Sequence, residues 1–201
     1  MITAGAASAD DVTIAALGDS LTAGYGLPQD AGFVPQLQAW LDEEGVDAKV
    51  INAGVSGDTT AGGLSRVAWT LSPEVDAMIV SLGGNDYLRG IDPAVSRSNL
   101  DAILSQGQAA GVEMLLVGLT VGTNYGPAYK EAFEGMYADL AAKYDVPLYP
   151  DFAAALRAAS GTGEGISAFL QPDGIHPDRE GVTMIVADIG PLVADLAAAV
   201  E

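Results

Sequence analysis

Short apolar runs alternate along this chain with longer stretches whose apolar residues recur at helical spacing. The runs are Val12–Leu17, Ala48–Ile51, Ala77–Leu82, Glu113–Leu119 and Val146–Tyr149. Between them, Phe33–Glu44, Ala61–Leu71, Pro93–Ala110 and Tyr129–Tyr144 carry apolar positions three and four residues apart, as one face of a helix requires. Arg179–Val200 reads as a closing helix, and Pro172 and Pro177 bracket the loop before it. Strands that alternate with helices pair in parallel, because each crossover needs a helix to bring the chain back. Strands that are apolar throughout, rather than alternating, suit a sheet covered on both faces. The fold class expected is α/β, a three-layer αβα sandwich on a five-stranded parallel sheet, and the common strand order for five such units is 2-1-3-4-5. Trp40 and Trp69 fall on apolar helical faces and are expected in the core.

Composition narrows the partners. A chain of 201 residues without internal repeats or a low-complexity linker fits one domain, read as residues 10–201 after a leader at 1–9. The formal charge of −19, with 8 Lys and Arg against 27 Asp and Glu, repels phosphate backbones and anionic headgroups alike. It therefore speaks against nucleic acid as a partner and is otherwise read as solubility or salt tolerance. No apolar run approaches the roughly 20 residues that span a bilayer, so stable membrane insertion is not expected. Oligomeric state is left open by the sequence, with a monomer compatible. Ala7-Ser8-Ala9 before Asp10-Asp11 has the small-x-small pattern of a signal-peptidase site. It points to a periplasmic or secreted protein, with the cytoplasm as the alternative.

Zero cysteines exclude disulfides, thiolate nucleophiles and cysteine–zinc sites, and a single histidine excludes multi-histidine metal sites. No metal site is assigned, although carboxylate-only Mg or Ca sites are not excluded by composition. The chain has no Gly-Lys pair and hence no P-loop.

The chemistry gathers at one edge. Ligands of such sheets bind beyond the carboxyl ends of the strands, so the residues just after each run are the informative ones. These are Gly18-Asp19-Ser20-Leu21, then Asn52-Ala53-Gly54-Val55-Ser56-Gly57-Asp58, then Gly83-Gly84-Asn85-Asp86. In the order 2-1-3 the three turns are neighbours, on strands about 4.8 Å apart. A serine hydroxyl attacks only when a base takes its proton. The one imidazole in the chain is His176, in Asp173-Gly174-Ile175-His176-Pro177, where Asp173 can fold back to orient the ring. Attack on a carbonyl places charge on oxygen, and Ser20 N–H, Gly54 N–H and the Asn85 amide are the expected donors. A glycine at 54 would let the substrate oxygen approach the backbone closely.

These blocks resemble the GDSL or SGNH hydrolases, whose name records a Ser, a Gly, an Asn and a His. Ser20 matches in the first block, Gly54 in the second, Asn85 in the third and His176, with Asp173, in the last. The resemblance is greatest to the bacterial group of thioesterase I, protease I, lysophospholipase L1 and arylesterases, with Gly83–Gly90, Asn124–Gly126 and Tyr144–Leu148 supporting it. It implies a flavodoxin-like fold, a Ser20–His176–Asp173 triad, an oxyanion hole of Ser20, Gly54 and Asn85, and no cofactor. It also implies a small-molecule ester or thioester as substrate, a short-chain or aryl ester with thioesterase and lysophospholipase side activity. The alternatives are a carbohydrate-ester deacetylase of the same superfamily and a flavodoxin-like module that binds a flavin or nucleotide.

Other features read more simply as structure. Gly161-Thr162-Gly163-Glu164-Gly165 follows no strand and is expected as a loop. Asp58 and Asp86 are expected to hold structural hydrogen bonds. Tyr25–Leu27, Val121–Tyr125 and Ile166–Leu170 are the candidate walls of an acyl or aryl pocket.

Overall fold

The computed structural model describes residues 12–160 and 165–200. The leader expected at 1–9 and all but the last residue of the glycine-rich stretch at 161–165 lie outside them. The elements are β1 (Val12–Gly18), α1 (Ser20–Ala23), α2 (Phe33–Glu44), β2 (Ala48–Gly54), α3 (Thr60–Thr70), β3 (Ala77–Ser81), α4 (Gly84–Leu88), α5 (Pro93–Ala110), β4 (Glu113–Val117), α6 (Pro127–Tyr144), β5 (Leu148–Tyr149), α7 (Ala154–Ala159) and α8 (Arg179–Ala198).

The strands pair in parallel in the order β2-β1-β3-β4-β5. The period of two along β1 explains why the run is apolar throughout. Ile14 and Ala16 face a core built with Phe33, Leu37 and Leu41 of α2 and Ile185, Ile189 and Val193 of α8. Ala15 and Leu17 face the opposite core, with Val67 of α3, Leu100 and Ile103 of α5 and Phe133 and Leu140 of α6. Each face of the sheet thus has its own helical layer, which is the αβα sandwich expected.

Four expectations shift, each for a local reason. β2 runs on to Gly54 rather than stopping at Ile51. It is an edge strand, so Asn52 and Gly54 extend it without being apolar. β5 shrinks to two residues between Pro147 and Pro150, neither of which has an N–H for the ladder. Trp69 is not core but 87% exposed. The buried positions of α3 are Thr60, Gly63 and Val67, and a residue two past Val67 faces about 200° away around the helix. Trp40 does pack against the core, where Gly190 lets α8 come close: a Cβ there would lie 2.7 Å from the indole. Finally, α8 is long and apolar enough by length and composition to cross a membrane, yet its apolar stripe from Val182 to Ala197 is buried on the sheet.

Candidate active site

The nucleophile candidate sits where β1 turns sharply into α1. Gly18 ends the strand, and a Cβ there would fall 2.0 Å from the Thr22 hydroxyl oxygen, so only glycine lets α1 fold back this tightly. The Asp19 carboxylate caps the four-residue helix by accepting from Leu21 N–H at 3.0 Å. Gly24, with φ 79°, ends it in the left-handed region. Ser20 is the first helical residue and lines a cavity of about 260 Å³.

The base candidate arrives from the far end of the sequence. An antiparallel bridge between Leu170 and Pro177 closes the loop that carries it. Gln171 N–H donates to His176 O at 2.7 Å, and the Gln171 amide nitrogen donates to Pro177 O at 2.9 Å and to Tyr25 O at 2.8 Å. Within the loop, Asp173 Oδ1 accepts from the backbone of Ile175 (2.9 Å) and His176 (3.0 Å). Asp173 Oδ2 lies 2.6 Å from His176 Nδ1, and His176 Nε2 lies 2.9 Å from Ser20 Oγ. The His176 ring, followed by those backbone N–H groups, holds the Asp173 carboxyl down at about 2. An ionised carboxylate only accepts, so the ring carries its proton on Nδ1 and turns the Nε2 lone pair to the Ser20 hydroxyl. The structure thus brings Ser20, His176 and Asp173 together in the relation that nucleophile, base and orienting group require.

Asn85 belongs to α4, directly after β3. Gly83, at φ 126°, makes that turn, and a Cβ there would lie 2.2 Å from the Tyr137 hydroxyl. Asn85 Nδ2 donates to Asp19 Oδ2 at 3.3 Å, and both residues line the cavity with Ser20. Asp19 is 3% exposed; burial pushes its carboxyl up to about 6, against the pull of the Leu21 and Asn85 hydrogen bonds.

Gly54 is not where the expected oxyanion donor should be. It is the last residue of β2, level with Gly18 in the sheet, and its N–H donates to Asn52 Oδ1 at 2.9 Å. What requires a glycine there is α1, not a substrate: a Cβ would lie 2.4 Å from Ala23 N. Gly57, at φ 86°, is the glycine that the turn after β2 places in the cavity lining with Ser20 and Asn85; Gly84, beside Asn85, lines it from the β3 side. Among the described residues, neither Ser20 N–H nor Gly57 N–H has a protein acceptor. The correction follows from the strand end: β2 is three residues longer than its apolar run, which moves the start of the turn from Asn52 to Val55.

The apolar walls of the cavity are Leu21, Tyr25, Leu88 and Ile175, and the Tyr25 ring lies 4.7 Å from that of His176. Of the three stretches expected to form walls, only Tyr25 does. Val121 is buried, and Tyr125 packs against Tyr129, with the rings tilted at 45°, and donates to Leu88 O at 3.4 Å, supporting the wall from behind. Ile166, Phe169 and Leu170 pack on the α2–α8 core. Leu88 and Ile175 could have been found from their sequence neighbours: each is an apolar residue within three positions of a matched site residue. Asp58 and Asp86 hold structure as expected. Asp58 pairs with Arg66 at 2.6 Å, and buried Asp86 accepts from Thr60 and Ser96.

Comparisons with known proteins give the family. Residues 16–183 match the model of the GDSL-like Lipase/Acylhydrolase family. The chain belongs to that family. Esterase TesA of Pseudomonas aeruginosa is 40% identical over 185 residues, which cover 92% of this chain and 89% of that protein. Thioesterase 1/protease 1/lysophospholipase L1 of Escherichia coli K12 is 37% identical over 196 residues, covering 97% and 85%. A crystal structure of TesA superposes with a TM-score of 0.81 at 38% identity, covering 92% of this chain and 99% of that one. This GDSL-like acylhydrolase is accordingly a carboxylic ester hydrolase acting on small-molecule esters.

Proposed function

We propose that the chain hydrolyses short-chain or aryl carboxylic esters through an acyl-enzyme on Ser20. The observation that carries this reading is the 2.9 Å contact of His176 Nε2 with Ser20 Oγ, backed at 2.6 Å by Asp173. His176 takes the Ser20 proton as Oγ attacks the carbonyl carbon. The oxyanion is received by Ser20 N–H, Gly57 N–H and Asn85 Nδ2. The C–O bond to the leaving alcohol breaks as His176 returns the proton to it. Water, deprotonated by the same ring, then attacks the acyl-enzyme, releases the acid and restores Ser20. A cavity of about 260 Å³ with four apolar walls suits a short acyl or aryl group. Thioesters and lysophospholipids, the substrates that the name of the E. coli relative indicates, are proposed as secondary substrates. The apolar walls favour such groups over an acetylated sugar, and a chain-length series against acetylated sugars distinguishes the two. The small-x-small pattern at Ala7–Ala9 supports export to the periplasm, which fractionation of the full-length chain tests.

His176→Ala is the direct test, because no other imidazole can substitute. Hydrolysis of p-nitrophenyl butyrate should fall by a factor of ~10⁴ or more while the far-UV spectrum is unchanged. Near-wild-type turnover would overturn the assignment of the base.

A further inference from the structure

The oxyanion turn has little of its own to hold it. Beyond Gly54 the β1–β2 ladder ends, and the backbone from Val55 to Asp58 is tied down by only two hydrogen bonds of its own N–H groups: Val55 N–H to Gly18 O and Asp58 N–H to Val55 O. Yet Gly57 N–H must stand at a defined distance from Ser20 if the two are to receive one oxygen atom. A guanidinium from α3 bridges the two turns. Arg66 Nε donates to Asp58 Oδ2 at 2.6 Å, Nη1 to Ala53 O at 2.6 Å and Nη2 to Gly18 O at 2.8 Å. Ala53 and Asp58 bracket the turn that carries Gly57, and Gly18 lies two residues before Ser20. Gly18 O therefore receives both Arg66 and Val55 N–H, so one carbonyl anchors both turns.

The arrangement uses what distinguishes Arg from Lys. A planar fork with several fixed donors can hold three acceptors at once, and hydrogen bonds from an ionised donor are stronger than neutral ones. The side chains of the Arg66–Asp58 pair are only 22% and 18% exposed, so water competes weakly for these bonds. Gly62 is part of the device: a Cβ there would lie 2.4 Å from Asp58 Oδ1, so α3 accommodates the carboxylate only with glycine at that position. Arg89, from the end of α4, grips the same turn by one exposed bond to Gly57 O at 2.8 Å. It lacks the link to the nucleophile turn that Arg66 makes.

We propose that Arg66 is a positioning residue, which sets the oxyanion turn at Gly57 against the nucleophile turn at Ser20. The proposal rests on the assignment of Ser20 as nucleophile and Gly57 as donor. It is tested with Arg66→Lys, which keeps the charge but not the fork. Turnover of p-nitrophenyl butyrate is normalised to serines titrated by a fluorophosphonate. We expect kcat per titrated serine to fall ~10- to 100-fold with KM within about threefold, because a displaced donor acts on the transition state and not on substrate binding. Arg66→Ala should regain part of that kcat in millimolar guanidinium. Arg97→Gln, which breaks the exposed Arg97–Asp139 pair far from the site, should leave kcat unchanged. If Arg66→Lys keeps its kcat per titrated serine while its melting temperature falls, Arg66 is a brace for the fold alone and the proposal is overturned. Should Arg66→Ala fail to fold, Arg66→Lys decides by itself. Wild-type protein that neither turns over nor takes the phosphonate on Ser20 would overturn the nucleophile assignment, and this proposal with it.

Discussion

The two halves of the proposed active site are built in different ways. Ser20, Gly57 and Asn85 follow three adjacent strands, and the residues beneath them, Leu17 and Val80, are fully buried. Asp173 and His176 sit instead in an exposed loop between a 3-10 turn and α8, held by the Leu170–Pro177 bridge and by hydrogen bonds from Gln171 and to Asp173. Where Ser20 stands is therefore a consequence of the global fold, and it can be lost only with much of the core. Where His176 stands depends on a few local bonds within that loop. The difference teaches that damage to the two halves should leave different signatures: on one side stability and activity fall together, on the other activity falls alone.

Three substitutions sharpen or break that comparison. The largest effect is expected on the sheet side. Leu17→Ala removes a fully buried side chain directly before the turn that carries Ser20. It should cost about 2–5 kcal/mol in urea unfolding. On the loop side, Gln171→Ala deletes the bonds to Tyr25 O and Pro177 O. We expect kcat/KM to fall ~10-fold while the unfolding free energy changes by less than about 1 kcal/mol, since the residue carries no core packing. A stability loss comparable with that of Leu17→Ala would remove the distinction between the halves.

The smallest effect concerns Asp19, the one carboxyl buried in the site itself. Burial raises its folded pKa to about 6 from an ordinary 3.8. The sign follows from linkage: what this group contributes to stability is fully present below 3.8 and is lost as pH rises through 6, because the fold must then hold a buried charge. Asn does not titrate. The stability of Asp19→Asn relative to wild type should therefore improve by about 1 kcal/mol between pH 5 and pH 8, measured by urea unfolding at each pH. Its kcat should fall nonetheless, because Asn85 loses the carboxylate that anchors its amide. A stability difference independent of pH would show that the Asp19 carboxyl is not held in an unfavourable environment.

What could be read in the chain and what could not divide along the same line. The αβα architecture was legible because both faces of the sheet are buried, and a strand with two buried faces is apolar at every position; the strand order was expected only as the common one for such folds. Ser20, Asn85, Asp173 and His176 were legible because each lies directly after a strand or in a tight local loop, where spacing along the chain constrains position in space. Gly54 misled for the corresponding reason. On an edge strand the apolar run ends before the strand does, so Asn52–Gly54, still in the ladder, looked like the start of the turn. Only pairing with β1 decides that Gly18 and Gly54 are level and that the turn begins at Val55. Trp69 likewise depends on which face of α3 meets the sheet, and the walls at Leu88 and Ile175 on how separate turns converge. By itself the sequence determined the layers and the groups able to do acyl chemistry, since these follow from periodicity and residue chemistry, while the order of the strands was expected only as the common one for such folds. The tertiary structure alone decided which glycine of the β2 turn shares the cavity with Ser20 and which side chains close it, because both are distances between segments that no spacing along one chain specifies.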